Sequence, residues 1–313
     1  MKRILVLMLT ALLVISCTAC GGKKESKQEQ EKQTVTEAPK AVSAAEDTDA
    51  MNLHFTPPEG YATVERHVGK SAAGKVTEKS FNYSFADNSS VMIGYTVGKE
   101  LTDSVPQNAL DKAENVTYAG KAFQVIHQGK AFVALCKEGD VIYGIGYSFG
   151  DKEDKAKFES LMQGISFTDA TTTQENDEDM YGIQYDAKSA GNICSTTIAV
   201  TEKPDGTVVE KAQSWHYGAD EKNLDYRFLI RVYKNATVDQ KLSKDHEYEE
   251  QEIGGIKYTV RKAQDADKPF EYFTQHGSDV YKIYNNGVVD GWGVKRSEQS
   301  QSAFEAFVNS VHF

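Results

Sequence analysis

The sequence predicts an α+β fold in two tandem copies, each an antiparallel sheet flanked by helices, and three observations predict it. The first is an internal repeat: Phe158, Leu161, Met162, Ile165 and Phe167 recur as Phe304, Phe307, Val308, Val311 and Phe313 at identical offsets. Four of each set are spaced i, i+3, i+4, i+7, one face of a helix, and the closing step of two is strand spacing. The second is the punctuation upstream. Tyr118-Ala119-Gly120 corresponds to Ile253-Gly254-Gly255, and Gly139-Asp140-Val141 to Ser278-Asp279-Val280. Both copies thus run strand, turn, strand, turn, strand, helix. The third is strict alternation at Phe81, Tyr83, Phe85 and at Val91, Ile93, Tyr95, Val97 across Asp87-Asn88-Ser89, a hairpin with one buried face.

Taken in chain order, residues 1–16 read as a leader. Lys2 and Arg3 precede an apolar run from Ile4 to Ile15, which is too short to span about 30 Å of hydrocarbon as a helix. Val14-Ile15-Ser16-Cys17 has the form of a lipobox, with small Ser16 at the cleavage position. Cys17 is the favoured lipidated residue and Cys20, preceded by Ala19, is the alternative. A diacylated cysteine carries enough apolar chain for stable anchoring. Residues 17–50 continue as a tether of Lys, Glu, Gln, Ala, Thr and Ser. Such a segment buries too little to offset its ordering entropy.

The first copy spans 51–169 and contains a short helix near Pro106–Ala113. Thr171 to Asp179 is a polar connector, and the second copy spans 178–313, where Phe228, Ile230 and Val232 alternate. Phe55-Thr56-Pro57-Pro58-Glu59-Gly60-Tyr61 resembles the opening strand of PsbP-like domains. Those domains close with a helix and a final strand like those at Phe158–Phe167 and Phe304–Phe313. The second copy departs from the pattern, with Met180-Tyr181-Gly182-Ile183-Gln184-Tyr185 in place of the Pro-Gly opening. The resemblance implies a sandwich fold and an extracytoplasmic accessory setting, and it transfers no catalytic residue.

Composition narrows the partners. The formal net charge of −11 over 313 residues is dispersed, which disfavours nucleic acid and anionic headgroups. No G-x-S-x-G, S-x-x-K, H-E-x-x-H or Walker loop occurs. Gly144-Ile145-Gly146-Tyr147-Ser148-Phe149-Gly150 resembles a phosphate loop but is placed in a hairpin strand rather than before a helix. The seven histidines are scattered with no metal-ligand spacing. No catalytic residue, metal or cofactor is therefore expected. The acidic run Asp245–Glu252 reads as a charge-defended edge strand, and Cys136 and Cys194 as buried thiols, with a disulfide as the alternative.

Trp292, in a glycine-bordered loop, and Trp215 are the candidate contacts to a ligand or partner, against the simpler reading that both pack in the core. The expected protein is a lipid-anchored component of the cell envelope on the extracytoplasmic face, with a non-catalytic binding or accessory role. Its partner is an envelope protein, a glycan or a small molecule. The alternatives are a hydrolase of wall or sugar polymers and a solute-binding lipoprotein of a transporter.

Overall fold

The computed structural model describes residues 43–150, 153–168, 178–220, 223–262, 270–290, 293–295 and 297–313, with backbone alone at 288–290 and 293–295. The first half contains β1 (Asp49–Ala50), β2 (Leu53–Phe55), β3 (Thr63–Ser71), β4 (Val76–Ser84) and β5 (Ser90–Val97). The helical turns α1 (Leu101–Ser104) and α2 (Gln107–Leu110) follow. Then come β6 (Glu114–Tyr118), β7 (Lys121–Gln128), β8 (Ala131–Glu138), β9 (Val141–Ser148), α3 (Lys155–Gln163) and β10 (Ile165–Phe167). The second half contains β11 (Ile193–Glu202), β12 (Val208–Gly218), β13 (Leu224–Tyr233), the turn α4 (Val238–Lys241), β14 (Tyr248–Ile253) and β15 (Ile256–Arg261). It ends with β16 (Glu271–His276), β17 (Asp279–Asn285), β18 (Val288–Asp290), β19 (Gly293–Lys295) and α5 (Glu298–Asn309).

These elements do not make the expected α+β sandwiches. The protein is mostly β, dominated by one 14-stranded antiparallel sheet in the order β14-β15-β16-β17-β13-β12-β11-β3-β4-β5-β9-β8-β7-β6. Read outward from the centre, each half has the same order: first strand, second, third, seventh, sixth, fifth, fourth. The halves join where β3 pairs with β11, from Ser195↔Ser71 to Glu202↔Val64. Alternation in a sequence reports which face of a strand is buried, not which neighbour completes its edge. That explains the error. Strands β3 and β11, each the innermost of its half, satisfy one another's free edges.

Cross-strand partners share a face, so the register shows what each face carries. Val68 lies opposite Ile198, Ile198 opposite Gln213, and Gln213 opposite Ile230. Both apolar cores therefore lie on one side. Phe81, Ile93, Phe123 and Ile145 pack there under Phe158 and Met162 of α3. Phe228, Ile230, Tyr258 and Ile283 pack under Phe304, Phe307 and Val308 of α5. The repeated apolar positions are hence the helix faces seated on each half. Caps start both helices: Asp154 accepts from the Lys157 backbone N–H at 3.0 Å, and Ser297 Oγ from Ser300 N–H at 3.1 Å. The final strand expected at 311–313 is reduced to a single bridge, Gln184↔His312, and Phe313 is exposed. The acidic run supplies β14, an outermost strand with Glu249, Glu250 and Glu252 exposed.

Between the cores lies a buried ionic cluster. Residues 43–50 cross the covered face, where the Ala45 N–H donates to Glu202 Oε2 at 3.2 Å. Asp47 Oδ2 sits 2.8 Å from Arg66 Nη1 and 2.7 Å from Lys79 Nζ, and all three side chains are almost completely buried. Burial pushes the Lys79 ammonium pKa down, and the Asp47 carboxylate opposes that shift. Removing the shared carboxylate takes the nearest counter-charge from two buried cations. Asp47→Ala is expected to lower unfolding stability by about 3–5 kcal/mol, read from urea denaturation. Asp205→Ala, in an exposed turn, is expected to lower it far less.

Candidate functional site

Among the described residues, apolar clusters cover the opposite face of the sheet on its flanks. On one side, Leu101, Val105, Ala109 and Leu110 of the α1–α2 segment close over Ile126, Leu135 and Ile142. On the other, Val238 and Leu242 at α4 close over Phe273 and Val280. Between these lids, the central strands β4, β3, β11, β12 and β13 carry no such apolar cluster on this face.

What they carry instead is polar and follows from strand periodicity. Glu65 and His67 of β3, Glu78 and Ser80 of β4, and Ser195, Thr197 and Thr201 of β11 all point this way. So do Glu210, Ser214 and His216 of β12, and Arg227 and Arg231 of β13. The middle of the band is floored by small residues. Ala212 and Ser214 are each only 7% exposed and Ser195 is 3% exposed, so they sit low between taller neighbours. Two glycines deepen the floor, Gly69 where the Glu78 side chain crosses it and Gly94 where the β4 backbone approaches. A Cβ on Gly69 would meet Glu78 Cγ at 2.5 Å, and one on Gly94 would meet the Lys79 carbonyl oxygen at 2.5 Å. A small crevice of about 20 Å³ opens beside them, lined by Glu78, Ser80, Met92, Gly94, Thr96 and Ile142.

The charged groups interlock across the strands. His67 Nδ1 lies 3.6 Å from Glu78 Oε1, and Arg231 Nε lies 3.2 Å from Glu210 Oε1. The Glu210 carboxyl is pushed up, first by burial and then, against the pull of Arg231, by the neighbouring Glu65. Ser195 Oγ and His216 Nδ1 are 2.9 Å apart, while His216 Nε2 is buried with no hydrogen-bond partner. Burial, with help from the charges of Arg227 and His67, pushes the His216 pKa down to about 3. An imidazole so weakly basic cannot take a proton from a serine hydroxyl efficiently. Among the described residues, no group of three or more His, Cys, Asp or Glu side chains is placed to hold a metal ion.

The residues singled out from the sequence lie elsewhere. Trp215 is 3% exposed and packs in the second core against Tyr185 and Phe307, with ring centroids 4.8 and 5.4 Å away, so it is not positioned to touch a ligand. Cys17, Cys20 and Trp292 fall outside the described residues. Cys136 and Cys194 are both buried free thiols. Gly144–Ser148 lie in β9, the expected hairpin strand, and Phe149 and Gly150 follow it. The polar band itself went unread. Its signal was present as polar residues at alternate positions in 65–67, 78–80, 195–201, 210–216 and 227–231, but the five stretches become one surface only once the strands pair.

No family model matches the chain, and no curated protein matches it. Among solved structures, the chain is similar at 9% identity to the immunity protein TplEi of T6SS from Pseudomonas aeruginosa complexed with "L" peptide. That match covers 84% of this chain and 95% of that one, with a TM-score of 0.21. MucB in complex with MucA(peri) matches at 9% identity over 72% of this chain and 87% of that one, with a TM-score of 0.12. The Pseudomonas aeruginosa MucA/MucB complex gives the same coverage, identity and TM-score. Likenesses this weak define neither a fold nor a ligand.

The depressed His216 pKa has a thermodynamic consequence. Between pH 6.5 and about 3 the unfolded chain binds a proton at this residue that the folded chain refuses. Stability attributable to His216 is therefore complete above pH 6.5 and falls on acidification, by up to about 1.4 kcal/mol per pH unit. Urea titrations from pH 7.5 to 5 are expected to show a steeper loss in the wild type than in His216→Gln. Equal slopes would mean that the imidazole protonates in the folded state.

Proposed function

We propose that this chain is a lipid-anchored protein of the cell envelope that binds a ligand, without transforming it, on the open face of its long sheet. The observation that carries this reading is the recessed polar band held between the two helical lids. Its side chains face away from both cores, so they contribute little to the fold that apolar residues would not contribute better. The entry of the chain fits the same picture. Residues 43–50 pack on the covered face through Asp47 and Arg66, away from the open face.

Two other readings have weaker support. A hydrolase requires a nucleophile or paired carboxylates that a substrate can reach, and Ser195 lies at the bottom of the floor beside a very weak base. A hinged solute-binding protein requires two lobes that move about a narrow connection. Here β3 and β11 are hydrogen-bonded over their length across the boundary between halves, which opposes such motion.

The anchor is tested by metabolic labelling with an alkynyl fatty acid. Label is expected on the wild-type chain and on only one of the single variants Cys17→Ser and Cys20→Ser. Retention of label by the double variant would exclude the anchor. The binding face is tested by screening envelope glycans and peptides against the wild type and Thr197→Trp, which fills the floor. A ligand held by the wild type, lost with Thr197→Trp and recovered with unchanged mass supports the proposal. Recovery of cleaved products would establish a hydrolase instead.

A further inference from the structure

Four arginines lie among the described residues, and three of them are ion-paired. Arg66 reaches Asp47 at 2.8 Å, Arg231 reaches Glu210 at 3.2 Å, and Arg261 reaches Glu271 at 3.6 Å. Arg227 is the exception, with no carboxylate within ion-pair distance among the described residues. It projects from β13 onto the open face, directly opposite His216, which is in turn opposite Ser195. One side of its guanidinium is held by Asn286, whose amide oxygen accepts from Nε at 2.9 Å and from Nη2. Among the described residues, the other side has no acceptor. Burial lowers the Arg227 pKa, and Tyr284 alone opposes that effect, as expected for a guanidinium withdrawn from water without a counter-charge.

Among the described residues the row offers donors and no carboxylate within ion-pair distance of Arg227. If the Ser195 hydroxyl donates to His216 Nδ1 across their 2.9 Å contact, the proton of the neutral imidazole resides on Nε2. That makes the buried, unpartnered Nε2 a second donor beside Arg227. A cation would be repelled here, and a neutral amide would leave the guanidinium charge uncompensated. An anion with two or more oxygens matches the planar fork.

We propose that Arg227, with His216 beside it, forms the subsite that anchors one oxyanion, a carboxylate or phosphate group, of the ligand bound on the open face. This rests on the binding reading given above. The two sources of the oxyanion share their chemistry and are separated by the probes, acetate and inorganic phosphate.

The test uses wild-type full-length protein and the arginine reagent phenylglyoxal, with each modified residue located by peptide mass spectrometry. At an anion concentration about ten times its Kd, modification of Arg227 is expected to slow about tenfold, with Arg261 unaffected. Protection by acetate identifies a carboxylate site, and protection by phosphate a phosphate site. Protection by neither, or equal protection of Arg261, overturns the proposal. Because this reads the wild-type chain, it does not depend on a variant that folds. In a second arm, Arg227→Gln is expected to abolish the anion-induced rise in Tm, and a rise equal to the wild type's overturns the subsite.

The outcome is separable from that of the binding face. A ligand lost with Thr197→Trp but kept undiminished by Arg227→Gln removes the subsite and leaves the face intact. A ligand indifferent to Thr197→Trp removes the face, and with it this subsite's role in ligand binding.

Discussion

The pairing of β3 with β11 is the constraint on which the rest of the molecule depends. Each strand is the innermost of its own half, and each would otherwise present a row of unsatisfied amides and carbonyls in the middle of the structure. Pairing them antiparallel from Ser195↔Ser71 to Glu202↔Val64 closes both edges at once and fixes the register of everything outside. Because side chains alternate with a period of two, this register decides that Val68, Ile198 and Ile230 face the same way. A slip of one residue would carry one half's core to the other side of the sheet.

With the register set, the two faces acquire opposite characters. The helices α3 and α5 can cover only the side on which the apolar residues of both halves converge. The charges at the junction on that side must then be neutralised internally, which Asp47 does for Arg66 and Lys79. The other side has its apolar residues at the flanks, under α1–α2 and α4. Its centre has only Ala199, Ala212 and Leu229, set among polar neighbours. A polar band between two lids is thus a consequence of where each half puts its second-face hydrophobics, and it places Arg227, His216 and Ser195 in one row across three strands.

Several parts were legible in the chain before any strand was paired. The repeat of Phe158 and Met162 as Phe304 and Val308 located both covering helices. Alternation located the hairpin of β4 and β5, and charge density located β14 as an edge. The candidate site was less legible. Trp215 was noticed because tryptophan is rare, yet it packs in the core because Tyr185 and Phe307 close over it. His216, one residue later, passed unremarked among seven scattered histidines, although its alternation with Trp215 and Tyr217 already put it on the other face.

Spacing along the chain recorded the periodic quantities: the two covering helices, the apolar side of the β4–β5 hairpin and of β13, and that one pattern occurs twice. These are properties of neighbours along the chain, and spacing records them directly. Only the tertiary structure decided that the two patterns share a single sheet rather than forming two sandwiches. It also decided that polar residues from β3, β4, β11, β12 and β13 become adjacent, and that Arg227 alone of the described arginines is left without a carboxylate. Strand order and pairing depend on contacts between residues more than 100 positions apart, as Ser71 and Ser195 are. No local spacing encodes such a distance.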